Sequence, residues 1–160
     1  LTQTRLAAQR TTDGKALRAL RNVLAGCDAG EARVEYTILA GRYFTLDPSD
    51  VAAFQALPEA LRTTPRGRLA AGLVALRSGQ PAVALQHLPH AAADGDGMHL
   101  LALAEAHLQA NQQDGVARAA AALRTLATDY PSSSLAQNAG SFARQWAPRA
   151  ASAPASPPNR

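Results

Sequence analysis

The sequence is short of cysteine, lysine and aromatic residues, and each scarcity removes a class of protein. Cys27 stands alone in 160 residues, so no disulfide can form within the chain. It follows Gly26 at a helix end or loop, with no base nearby in sequence to hold a thiolate, and reads as a small semi-buried residue rather than a nucleophile. Aromatics make up 4% of the chain, so a core has to be built from Leu and Ala. No run rich in Val, Ile, Thr and aromatics alternates with period two, which removes the signal for a sheet. No stretch approaches 18 consecutive apolar residues, so no segment reads as a membrane span.

The groups that catalysis needs are equally sparse. The four glutamates, at 31, 35, 59 and 105, are scattered and show no pairing for acid–base work. There is no nucleophile elbow, phosphate loop or HExxH run, and Ser132–Ser134 suits helix capping better than chemistry. The sequence therefore reads as a binding protein, not an enzyme, with no cofactor. His87 and His90, with His99 and His107 on the next helix and Asp94 and Asp96 between, could be imagined around a metal. Pro89 interrupts the first pair, and Asp94-Gly95-Asp96-Gly97 is an ordinary turn sequence without the length or spacing of a calcium loop, so no metal site is expected. Lys15 is the only lysine among 16 basic residues in a chain of net charge +4. The arginines are spread along the chain rather than gathered in a stripe, which points away from nucleic acid.

What the sequence has in quantity is alanine, roughly a quarter of all residues and the best helix former. Helix punctuation is regular. Asp47-Pro48-Ser49-Asp50 offers an N-cap, a proline for the first turn and an acid behind it; Thr64-Pro65 repeats that logic. Gly79-Gln80-Pro81, Gly95-Asp96-Gly97, Asp114-Gly115 and Pro131 mark further breaks, and Ser134 with Gln137 has capping-box spacing. Between the breaks, apolar residues such as Leu101, Ala104 and Leu108 fall on one helical face. The spacing predicts helices near 13–25, 31–46, 48–62, 65–78, 81–92, 97–111, 114–129 and 133–146, joined by turns short enough to make neighbours antiparallel. One helical domain over 1–146 is expected, followed by a Pro/Ala-rich linker or disordered tail over 147–160. The first residue is Leu1, as in a processed chain or a piece of a longer one.

Shifted by 31 residues, the chain matches itself: Ala40-Gly41 on Ala71-Gly72, Ala53 on Ala84, Leu57-Pro58 on Leu88-Pro89, Ala60 on Ala91. Alanine matches are cheap in this composition; the glycine pair and the Leu-Pro pair are not. A third unit follows less regularly, with Leu101 and Ala104 placed 32 residues after Leu69 and Gly72, and Ala119 and Leu123 placed 35 after Ala84 and Leu88. The extra length falls at Asn111-Gln112-Gln113.

Over about residues 31–146 this pattern resembles a divergent tetratricopeptide repeat (TPR) family. Its small residues, turn-formers and large apolar closers fit Gly41, Pro48, Ala53 and Leu57, then Gly72, Gly79, Ala84 and Leu88, then Ala119, Leu123 and Pro131. The departures are a missing early Trp, Phe44, Ala75 or His107 where a Tyr is usual, and a period of 31 rather than 34. The resemblance implies an all-α fold of antiparallel helical hairpins stacked as a short α-solenoid. It also implies a groove lined by the first helix of each hairpin, and puts Glu35, Arg42, Arg66, Arg77, Glu105 and Gln109 toward it. Arginines there would pair with carboxylates of a bound peptide. The run from Leu126 to Ala139, with Tyr130-Pro131 at its centre, resembles unit junctions of bacterial envelope TPR proteins. That implies a scaffold or adaptor in the periplasm or at the outer membrane, binding a protein or peptide; the alternative is a cytoplasmic regulatory or substrate-docking domain of a larger enzyme or regulator.

Overall fold

A computed structural model describes residues 30–43 and 45–141. The helix expected at 13–25, Cys27, Phe44, the end of the helix expected at 133–146 and the tail 147–160 lie outside these residues. Among the described residues every regular element is helical. The elements are α1 (Gly30–Arg42), α2 (Pro48–Gln55), α3 (Glu59–Arg62), α4 (Pro65–Arg77), α5 (Pro81–His87), a 3-10 turn (Leu88–His90), α6 (Met98–Gln109) and α7 (Gly115–Asp129). Residues 134–141 are again helical.

The helix starts follow the sequence signals. Asp47 accepts from the Asp50 amide at 2.9 Å while Asp50 accepts from the Asp47 amide at 3.2 Å, a reciprocal capping box with Pro48 in the first turn. Thr64 accepts from the Gly67 amide at 3.0 Å ahead of Pro65. Helix α4 ends in two nested bonds, Gln80 N to Ala75 O at 2.8 Å and Gly79 N to Leu76 O at 3.2 Å. That geometry requires a left-handed residue between them, and Gly79 supplies φ +70. The last helix is capped by Ser133, one residue before the expected Ser134: its Oγ accepts from the Leu135 amide at 3.1 Å and donates to Asp96 O at 2.7 Å.

The helices expected at 48–62 and 81–92 are each broken, and at the same dipeptide. Pro58 separates α2 from α3 with φ −52 and ψ 141, and Pro89 turns the end of α5 into the 3-10 turn. A proline has no amide to donate, so the helix loses the bond that would carry it through that position. The repeat therefore includes the break: both second helices stop at Leu-Pro. Helix α7 has no proline within it and runs unbroken for 15 residues.

Helix α1 packs on α2, α3 and α4; α4 packs on α5 and α6; α5 packs on α6; and α6 packs on α7 over the broadest contact. The hairpins are thus α1 with α2–α3, α4 with α5, and α6 with α7, and the first helices α1, α4 and α6 lie side by side in that order. One core runs through all three, centred on the fully buried Leu69, Leu73 and Leu126. Each buried leucine contributes about 1.5–3 kcal/mol. Close approach is set by glycine: a Cβ on Gly41 would lie 2.9 Å from Leu73 Cβ, and one on Gly72 would lie 2.4 Å from Leu88 Cδ2. Although the repeat aligns Gly41 with Gly72, the two glycines do not make equivalent contacts. Gly41 admits the neighbouring α4, whereas Gly72 admits the end of its own hairpin.

Candidate functional site

The six polar residues expected at the groove, Glu35, Arg42, Arg66, Arg77, Glu105 and Gln109, all sit on the first helices α1, α4 and α6. Folding joins them across helices. Arg66 donates from Nε to Glu35 Oε1 at 2.8 Å and from Nη2 to Glu35 Oε2 at 2.5 Å, a two-pronged pair between residues 31 apart in sequence. The separation equals the repeat, so equivalent helices laid side by side bring the two residues together. Arg77 donates from Nη1 to both Glu105 oxygens, at 3.0 and 3.2 Å, and from Nε to Gly41 O at 2.8 Å. Gln109 donates to Glu105 Oε1 at 2.9 Å.

These pairs differ in depth. The Arg77 and Glu105 side chains are 10% and 11% exposed, and together with the Gly41 carbonyl they satisfy one another beneath the surface. A charged pair this deep is held by mutual hydrogen bonds and is costly to break from one side. Arg66 and Glu35 are 36% and 52% exposed and lie on the face itself. The solvent-accessible part of this face is therefore carried by Glu35, Arg42, Arg66 and Gln109, with Arg77 and Glu105 beneath it.

A further element enters this face that sequence reasoning treated as a plain turn. Asp94 accepts from Arg66 Nη1 at 3.2 Å, and Asp96 pairs with Arg42 Nη2. Arg66 is thereby held more firmly protonated than an ordinary arginine, first by its hydrogen bond to Glu35, against a smaller cost of burial, and then by Asp94. The turn is anchored from behind. His99 Nδ1 accepts from the Asp94 amide at 3.1 Å, and the His99 ring meets Tyr130 edge to face with centroids 5.8 Å apart. Burial lowers the pKa of His99, which keeps it the neutral acceptor that this bond requires. No sequence signal pairs Asp94 or Asp96 with an arginine 28 or 54 residues away; only the packing of α1, α4 and α6 does.

The other side of the molecule has a cleft of about 300 Å³ between α2–α3 and α5, floored by Val74 and Ala75 and edged by Phe54, Arg62, Val83 and His87. Among the described residues no group of three or more His, Cys, Asp and Glu side chains lies close enough to hold a metal ion, and no helix among them is long and apolar enough to cross a membrane. No family model matches the chain, and neither does any curated protein or solved structure.

Proposed function

We propose that the chain is a TPR-like adaptor that docks an acidic segment of a partner protein on the face formed by α1, α4 and α6. The observation that carries this reading is the partly exposed arginine pair on that face. Arg42 and Arg66 come from different hairpins, and both are already engaged with carboxylates. Guanidinium groups held on rigid helices bind carboxylates in fixed geometry at little further entropic cost. The neighbouring Arg77–Glu105 pair fixes α4 against α6, so the platform does not depend on the ligand. The Tyr130-Pro131 junction supports a further proposal, that the adaptor works in a bacterial envelope assembly.

The test is binding of a short fluorescein-labelled Asp/Glu-rich peptide, read by anisotropy, to the wild-type chain and to an Arg42→Glu, Arg66→Glu variant. Loss of binding by a variant that keeps its helical circular dichroism is expected. Equal binding by both would move the docking surface elsewhere.

A further inference from the structure

We infer that the Asp94-Gly95-Asp96 turn is an internal competitor for the arginines of the α1–α4 face, its two carboxylates taking the guanidinium positions that a partner's segment with two carboxylates one residue apart would take. This inference rests on the reading of that face as the docking surface and adds how access to it is regulated.

Four observations carry it. First, in a stack of hairpins each unit normally touches only its neighbours. The Arg42–Asp96 pair spans 54 residues and joins the first hairpin to the segment just ahead of the third, past α4. Second, the pairs are accessible: the Arg42 and Asp96 side chains are each 27% exposed, and those of Arg66 and Asp94 are 36% and 21% exposed. They can exchange with an external carboxylate, unlike the deep Arg77–Glu105 pair.

Third, the turn keeps its shape without the arginines. Ser133 donates to Asp96 O at 2.7 Å and His99 Nδ1 accepts from the Asp94 amide at 3.1 Å, so the backbone on both sides of Gly95 is held by bonds that do not involve the carboxylates. Release therefore asks only two side chains to let go, while the backbone stays in place. Fourth, the turn presents two carboxylates separated by one glycine to two guanidiniums from different hairpins. An external Asp/Glu-x-Asp/Glu segment offers the same acceptors at the same spacing, and Glu35 remains to hold Arg66 in place when Asp94 leaves.

A site occupied part of the time by an internal group binds its ligand more weakly by the fraction of time it is free. An exposed ion pair shifts such an equilibrium by up to about fivefold. The single variants Asp94→Asn and Asp96→Asn should each bind a fluorescein-labelled peptide of alternating Glu and Gly about threefold more tightly than wild type, and the double variant about tenfold more tightly. A Gln-Gly peptide of the same length should gain nothing. Adding Arg42→Gln and Arg66→Gln to the double variant should abolish the gain.

Wild-type binding that is equal to or stronger than that of the Asn variants overturns the competitor and leaves the docking face standing. An equal gain for the Gln-Gly peptide overturns it too, because the turn would then only cover surface. Absence of Glu-Gly peptide binding by every form overturns both the competitor and the docking face. If the double variant loses its helical circular dichroism, the single variants decide by the same comparison.

Discussion

Leu57-Pro58 and Leu88-Pro89 are the same dipeptide at the same place in two hairpins, and both end a helix, yet they lie at different depths. Leu88 is buried, wedged against Gly72 and followed by a turn that packs on both α4 and α6. Leu57 is half-buried and leans toward Gly30 of its own hairpin. The matching sequence positions would place both at the same depth; Leu57 is not buried. The two arginines of α4 repeat the contrast, Arg66 on the surface and Arg77 beneath it. A repeat in sequence dictates the type of local structure, while depth depends on how many neighbours cover each unit. Among the described residues the first hairpin has one neighbouring hairpin where the second has two.

The largest expected effect separates the two leucines. Leu88→Ala should destabilise the fold by about 3 kcal/mol, the usual range for a buried leucine, and Leu57→Ala by about 1 kcal/mol. Urea denaturation followed at the helical circular dichroism band checks this; equal losses would erase the distinction between edge and interior. Next come the glutamates. Glu105→Ala leaves the Arg77 charge buried without its carboxylate and should cost about 2–3 kcal/mol, whereas Glu35→Ala, on the surface, should cost less than about 1 kcal/mol. Replacing Arg77 and Glu105 together by Met and Leu should recover most of the loss in the same melts.

Mild acid should act on the second and third hairpins, because all four histidines lie at or beyond residue 87. His87, His99 and His107 are each held below the ordinary histidine value of 6.5, mainly by burial, and Nδ1 of His87 and of His107 is buried without a hydrogen-bond acceptor. The folded chain then binds fewer protons than the unfolded one below that pH. Stability is full above pH 6.5 and falls as the pH drops through and below it. Thermal melts across that window should show the midpoint falling with acid, and His87→Gln with His107→Gln should flatten the slope. The smallest effect belongs to Pro58→Ala, at an exposed bend, which should stay within about 0.5 kcal/mol of wild type.

Much of the local structure was legible from sequence. The Asp47 capping box, the Thr64 cap and the Gly79 terminus are interactions among residues two to five apart, and their chemistry is written in adjacent letters. The breaks at Pro58 and Pro89 were equally visible but were outweighed by the apolar spacing around them; proline's missing amide decides such a conflict. At the candidate face the sequence placed six polar residues on the first helices, but it did not give their pairings. Glu35 with Arg66 follows from the repeat once the helices are stacked. Arg42 with Asp96 does not, because it depends on a turn crossing from one hairpin toward another, and nothing local to either residue encodes that.

The two Leu-Pro breaks also make the second helices dependent on their neighbours. An isolated helix of seven or eight residues is too short to hold itself together in water, which is the condition of α5 and α2. Helices α6 and α7, with 12 and 15 uninterrupted residues, share the broadest mutual contact. Without α6, the short, proline-stopped α5 would lack the surface that packs on the Leu88 turn, and Arg77 would lack its carboxylate.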